Sequence, residues 1–373
     1  MDAPPDELRE RLRAIFRARL PPRERRPAVS LLGAGQDEAA VARGRAYLQA
    51  LAEGGWGTPA WPPEAGGAGL DEEALRVWSV VAEEHERPDL YPFLIGIEMV
   101  GPILVRFGSD DQRRRWLEPI RTGREIWCQL FSEPEAGSDL AALRTRAERT
   151  GSGWRVRGHK LWVSRAAYAT WGLLLARTGT EAARHAGLTT FALRMDAAGV
   201  RTAPIRQMNG DEHFHEVFLD DVEISDADRI GAVGEGWAVA MSTLARERVA
   251  AADAGAPGLS PALVLELLRD SGRLGDALSR QRAAEVIARL ALLRLGREQG
   301  TSLGAKLVLA DAVRRLVELA RDVRGPAATL EDETWSMLDL TAPSLSIRGG
   351  TDEIQLDVIA ERELGLPREP RPR

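Results

Sequence analysis

Residues 125–224 form a block of short β-forming segments between two long helical stretches, and any fold for this chain must accommodate that block whole. "IWCQLFSE", "WRVRG", "KLWVS", "WGLLLART", "LTTFALRM" and "EVFLDDVEI" are rich in β-formers and mostly bounded by turn-forming residues. Upstream, "DEEALRVWSVVAEEHER" and "DDQRRRWLEPI" have helical spacing, with loops at "PAWPPEAGGAGL" and "RTGRE". Downstream of "GAVGEG" the helical pattern returns in "ALSRQRAAEVIARLALLRL", "AKLVLADAVRRLVELARDV" and "TDEIQLDVIAERELG". The chain is predicted to be mainly α with a central β domain: helical residues 1–124, β residues 125–224 and helical residues 225–373. A length of 373 residues, 44% of them hydrophobic, is more than one core usually serves.

Bulk properties exclude several classes. A net charge of −6 gives no overall basic character for binding nucleic acid, and "RERR" at 23–26 reads as a solvated turn. The opening residues mix both charge signs without an apolar run, so no signal peptide is expected. "YPFLIGIEMVGPILV" carries Glu98 and Pro102 and is too short to span a bilayer. The expectation is a soluble cytoplasmic protein with a disordered Pro/Arg tail at 367–373. The single Cys128, among apolar neighbours, reads as a buried structural thiol. "GAGQDE" lacks the third glycine and preceding strand of a dinucleotide fingerprint. His213 and His215 could share one strand face, but no third metal ligand is evident and no metal is expected. Lysine is confined to Lys160 and Lys306 among 50 basic residues, which singles those two positions out.

The run from Trp237 to Ala254, between Gly236 and Gly255, predicts one helix. Trp237, Ala240, Met241, Leu244 and Ala251 form its apolar stripe, with Arg246 pointing away. Arg248 falls near the middle of that stripe and Glu247 on its flank. A carboxylate aimed inward is costly unless paired, and desolvation raises its pKa towards a range useful for a base. A Glu247–Arg248 surface pair is the structural alternative.

One stretch is far more specific. Ser132-Glu133-Pro134-Glu135-Ala136-Gly137-Ser138-Asp139 is followed by Gly158, Lys160, Trp162, Val163 and Ser164. This resembles the (T/S)EPxAGSD and GxKxW(I/V)(T/S) hallmark of acyl-CoA dehydrogenases, FAD flavoproteins that desaturate acyl thioesters. "WPPEAGGAGL", "GPILVRFGSDDQRRRWLEPI", "QMNGDEHFHEVFLDDVEI" and "GGTDEIQLDVIAERELGLPRE" resemble further blocks of the family, so the likeness covers nearly the whole chain. It implies an N-terminal helical domain, a β-barrel-like middle domain and a C-terminal four-helix bundle carrying FAD and oligomer contacts. It also implies that Gln129, Phe131, Ser132, Gly137, Ser138, Trp162, Val163 and Ser164 bind the cofactor. Ser132 would bind flavin and Trp162 would flank its ring. Ser164 would bring a hydroxyl near N5, and Ser138 would lie where flavin and substrate meet.

Many relatives carry the catalytic base in "YEGT". Here the segment is Arg348-Gly349-Gly350-Thr351, with glycine at the expected glutamate. Other branches carry the glutamate just before an arginine on the helix after the β domain, which Glu247-Arg248 resembles. The resemblance therefore makes Glu247 the base and brings Arg248 to the substrate. The Gly349 N–H would polarise the thioester carbonyl. Thr351 and Glu353 fall where relatives touch FAD.

Two family segments that reach a neighbouring subunit's FAD match weakly. Arg280 and Gln281 stand as substitutes in the first, and Gly325 marks the second. The implied partners are an acyl-CoA or carrier-protein thioester, an electron acceptor such as an electron-transfer flavoprotein, and further subunits in a homodimer, homotetramer or heteromer. Two other readings keep the fold: a non-catalytic subunit of a heteromeric enzyme, or a flavin oxidase or monooxygenase.

Overall fold

A computed structural model describes residues 5–24, 38–254, 258–299, 304–330 and 334–367, with the side chains of 5, 181–182, 247–254 and 297–298 left outside that description. The chain divides into two units, residues 1–25 with 33–246 and residues 26–32 with 247–373. Of the "RERR" run only Arg23 and Glu24 lie within the described residues, and of "GAGQDE" only Glu38.

In the first unit, "WGLLLAR" becomes β4 (Trp171–Arg177), buried at every position. Trp171, Leu173 and Leu175 enter one core while Leu174 and Ala176 enter another, so the continuous apolar run reflects burial on both faces. Around it lie β1 (Trp127–Leu130), β2 (Arg146–Arg149), β3 (Gly153–Ser164), β5 (Leu188–Arg194), β6 (Val200–Ile205), β7 (Phe214–Ser225) and β8 (Arg229–Ile230). The sheet order is β6-β7-β3-β2-β4-β5-β8, with β1 parallel to β4. "WRVRG" and "KLWVS" prove to be one strand, because a register shift between Lys160 and Val163 lets β3 stay paired with β7 across its irregular middle. The β6 segment "VRTAPI" carries little strand signal in the sequence, since its half-exposed, Pro-containing pattern marks an edge strand only weakly.

Helices α1 (Pro5–Arg17), α2 (Glu38–Ala52), α3 (Glu72–Ala82), α4 (Tyr91–Leu94), α5 (Gly101–Phe107) and α6 (Asp110–Arg121) share the first core with one sheet face. Ser109 and Gln112 close a capping box at the start of α6. Trp116 of α6 then meets Trp127 and Trp171 edge-on at 5.5 and 5.4 Å. Those two residues are register partners on β1 and β4.

Between α4 and α5 the helix widens into a π turn, Ile95–Val100, where the Gly101 amide reaches the Gly96 carbonyl five residues back. The next amide in that pattern would belong to Pro102, which has none, so the Ile97 carbonyl is left to an outside donor. Trp61 supplies it, Nε1 donating at 2.9 Å. Gly101 makes room for the indole, since a Cβ there would lie 1.8 Å from Trp61 Cζ2.

Helix α7 (Gly236–Ala254) matches the predicted span. Its stripe is rotated from expectation, however. Gly236, Val239, Ala240 and Thr243 are fully buried, whereas Trp237, Met241 and Leu244 are half-buried against the first core. The small residues let the helix backbone approach closely and push the large ones to the flanks. Arg246 is exposed, as predicted.

The second unit is built on α10 (Ala305–Arg324). Its Ala312, Leu316, Leu319, Ala320 and Val323 pack with α8 (Pro261–Asp270) and α9 (Ala277–Glu298). Leu309, Val313 and Val317 pack with α11 (Trp335–Thr341) and Leu345. Helix α12 (Asp352–Val358) follows. Among the described residues, no helix is long and apolar enough to cross a membrane.

Gly101→Ala should overpack the Trp61 contact and lower stability by at least about 1–3 kcal/mol. Thermal unfolding of the variant beside wild type measures this, and an unchanged melting temperature would contradict the contact.

Candidate active site

The "SEPEAGSD" turn leaves the end of β1 and is closed on itself. Glu133 N donates to Ala136 O at 3.0 Å and Ala136 N to Glu133 O at 3.1 Å. Clamps on both sides hold it to the sheet. From β3, the fully buried Lys160 spends its three donors on Phe131 O at 3.1 Å, Glu133 Oε1 at 2.8 Å and Leu175 O at 2.9 Å. Glu133 also accepts from the Arg144 and Thr145 amides at 2.6 and 2.9 Å. From the end of β4, the buried Arg177 donates to Leu143 O and Ala141 O. Beyond it, Arg184 holds Asp139 at 2.7 and 3.0 Å.

Burial alone would raise the Glu133 carboxyl, but the Lys160 ammonium and the amide donors outweigh it and hold Glu133 below the ordinary carboxylate value. Burial pulls Lys160 below the ordinary lysine value, and the carboxylate opposes that pull. The arrangement is an ion pair with every ammonium proton placed.

Within this frame Gly137 and Ser138 are exposed, Ser132 is half-buried, and space is open where a Gly137 side chain would be. Leu161 N donates to Ser132 O at 2.9 Å, so the turn lies against the irregular part of β3. There Trp162 takes φ +58° and is 54% exposed, edge-on to Phe214 at 5.8 Å. Arg165 takes φ +57°. Two non-glycine residues in the left-handed region thus bracket Val163 and Ser164, the sort of strain that concentrates at functional sites. Trp162 offers an aromatic surface beside a turn of small polar residues, a chemistry that fits a flat aromatic cofactor with hydrogen-bonding edges. Gln129 is half-buried on β1. Phe131 and Val163 are core side chains, so only their main chain is available to a ligand.

The remaining predicted residues lie in the second unit, and of these the side chains of Glu247 and Arg248 are outside the described residues. Gly349 and Gly350 take φ +64° and +87°, a backbone that disfavours any L side chain by about 1–2 kcal/mol per residue. Gly349 O accepts from Gln355 Nε2 at 3.0 Å, and Thr351 caps α12 through the Ile354 amide at 3.3 Å. Glu353 is held below its ordinary value by its own backbone amide and the Thr351 hydroxyl. Lys306, the second lysine, pairs with Asp352 at 2.7 Å. Arg280 and Gln281 are exposed in the first turn of α9, beside the Asp276 carboxylate that accepts from Ser279.

His213 and His215 are both buried, and no group of three metal-ligating side chains occurs among the described residues. The buried Cys128 thiol is pushed up to about 12. Sequence reasoning did not assign the Glu133–Lys160 pair, although a lysine in so arginine-rich a chain was its signal. Of the residues gathered around Ser164, His213 stood out only as half of an alternating histidine pair, and Tyr91 and Arg165 had no sequence signal beyond polarity.

Comparison with known proteins agrees with this architecture. Family models for the N-terminal, middle and C-terminal domains of acyl-CoA dehydrogenase match residues 5–124, 128–222 and 271–364. The chain belongs to the acyl-CoA dehydrogenase family, whose members are flavoprotein oxidoreductases. It is 40% identical over 362 residues to acyl-CoA dehydrogenase IpdE1 of Mycobacterium tuberculosis, covering 90% of this chain and 91% of that protein. Among solved structures, the Tcur3481-Tcur3483 steroid ACAD aligns with a TM-score of 0.79 at 27% identity, covering 99% and 100% of the two chains. The ChsE4-ChsE5 complex from Mycobacterium tuberculosis aligns at 0.75 and 27%, covering 99% of each.

Lys160→Met should strand Glu133 as a buried, unpaired charge and cost about 3–5 kcal/mol, read by denaturant unfolding. Because folding lowers the Glu133 pKa, its contribution is present above the unfolded value and lost as pH falls through the folded one. Glu133→Gln should therefore be less stable at neutral pH yet lose less stability than wild type on acidification below the ordinary carboxylate range. An equally steep acid limb in both proteins would contradict the assignment.

Proposed function

We propose that this chain binds FAD and catalyses the α,β-dehydrogenation of an acyl-CoA thioester, with Glu247 as the base. The observation that carries the reading is the clamped "SEPEAGSD" turn beside an exposed, bulge-held Trp162, in a chain of this family. The helical, β and helical segments 1–124, 125–224 and 225–373 are taken as its three domains.

Bound FAD supplies the acceptor for the β-hydride. The chain's own residues do the rest. Ser132 and Ser138 bind the cofactor together with the main chain from Gln129 through Phe131 to Gly137 and at Val163. Trp162 covers one face of its ring. The Glu247 carboxylate takes the α-proton, and Arg248 limits the cost of holding that charge out of water. The Gly349 N–H donates to the thioester oxygen as negative charge develops there, which makes the α-proton more acidic. Thr351, Glu353, Arg280 and Gln281 complete the cofactor contacts.

Two observations support Glu247. The 349–350 backbone is glycine-shaped, so no carboxylate is presented there. The buried line of α7 runs Gly236, Ala240, Thr243, and its next helical position is 247.

A heteromer is the assembly to test first, because one full-length structural relative is the ChsE4-ChsE5 complex. A polycyclic acyl group is the substrate class to test first, because another is a steroid ACAD. An electron-transfer flavoprotein is the proposed electron acceptor.

Glu247→Gln should retain FAD yet slow flavin reduction by acyl-CoA at least about 10²-fold, the usual contribution of a positioned base. Anaerobic stopped-flow absorbance measures it, and near-wild-type reduction would remove Glu247 from the mechanism.

A further inference from the structure

Ser164 is held from behind by a network that joins three separate segments of the first unit. The entry to α4 contributes Asp89 and Tyr91, the end of β3 contributes Ser164 and Arg165, and the approach to β7 contributes Gln207 and His213. Tyr91 N donates to Asp89 Oδ1 at 2.9 Å, which fixes the start of α4. Arg165 is 2% exposed, its guanidinium lies over the Tyr91 ring at 5.1 Å, and its amide donates to His213 O at 2.7 Å. His213 meets the Tyr91 ring edge-on at 6.3 Å and pairs with Gln207 through Nδ1 at 3.0 Å. The Tyr91 ring is thus bounded by a cation and an imidazole, and its hydroxyl donates to Ser164 Oγ at 3.4 Å.

That last contact is long for an O–H···O bond. Its direction matters more than its length. A serine hydroxyl has one proton and two acceptor sites. When Tyr91 donates into one acceptor site, the Ser164 proton is left for a different partner.

We propose that Tyr91 is a positioning residue that orients the Ser164 hydroxyl, so that its proton is presented to the flavin. The inference rests on the flavin reading of this site. The packing of Arg165 and His213 on the Tyr91 ring explains why a non-glycine residue is kept at φ +57° at position 165. The backbone turn brings the guanidinium over the ring that aims the hydroxyl. A donor aimed at an oxidised flavin stabilises the charge that arrives on reduction, so loss of that aim makes the flavin harder to reduce.

The test is the midpoint potential of the bound flavin, measured by anaerobic dye-linked reduction of the FAD-loaded protein. Wild type, Tyr91→Phe, Ser164→Ala, the double variant and Ser164→Thr are compared. Tyr91→Phe keeps the ring that Arg165 and His213 pack on, so FAD should be retained and thermal unfolding should stay near wild type. The potential should fall in Tyr91→Phe and in Ser164→Ala, and the double variant should match Ser164→Ala with no further fall. Ser164→Thr, which keeps a hydroxyl, should hold the wild-type potential. The inference is overturned if Tyr91→Phe has the wild-type potential, if its effect adds to that of Ser164→Ala, or if neither single variant shifts the flavin. A wild-type protein that takes up no FAD overturns the flavin reading itself.

Discussion

The fold around the site depends on one buried charge. Lys160 sits on the strand that bears Trp162 and Ser164, and its ammonium reaches across to the turn that bears Ser132 and Ser138. Without a cation there, Glu133 would be a carboxylate enclosed by backbone, and two main-chain carbonyls would lose a donor. Such a pair is weak evidence for stability, because desolvation consumes much of the Coulomb gain. Its value here is geometric. Three fixed acceptors, one on β4 and two in the turn that leaves β1, can be met by one compact ammonium in only one arrangement, so the turn cannot slide along the sheet. Arginine, which fills nearly every other basic position, has a planar fork that does not suit three acceptors around a point. The second lysine, Lys306, pairs with Asp352 beside the Thr351 cap.

Order in that frame permits strain within it. Trp162 and Arg165 adopt backbone conformations that most side chains avoid, and both are secured by contacts outside β3. The Ser132 carbonyl takes the Leu161 amide, Phe214 meets the Trp162 ring, and His213 takes the Arg165 amide. The result is a half-exposed indole and a half-buried hydroxyl at an irregular strand end, no longer held to the common face that a regular strand would give residues 162 and 164. The π turn at Ile95–Val100 is a comparable irregularity, tolerated because Trp61 answers the carbonyl that Pro102 cannot.

Much of this was legible in the residues. The β block stood out because its short segments are rich in β-formers and mostly bounded by turn-forming residues, and the hallmark turn stood out because its residue types and spacing are so specific. The span of α7 followed from its glycine brackets. The face of α7 did not, since a stripe read from the largest apolar residues misses a helix that packs by its smallest ones, Gly236, Ala240 and Thr243. Nor could spacing reveal that Lys160 meets Glu133 across 27 positions, or that Tyr91 lies against Ser164 across 73. Those pairings are made by sheet register and helix docking, which no local pattern encodes.

The proposed activity requires a bound flavin that an acyl thioester can reduce, and one spectrum tests this most directly. The visible absorbance of the purified protein, loaded with FAD where necessary, is recorded before and after anaerobic addition of a panel of acyl-CoA thioesters that includes polycyclic ones. The expected result is a flavin band that bleaches with at least one of them. A protein that neither carries nor takes up FAD, or a bound flavin that no acyl-CoA bleaches while dithionite does, would contradict it.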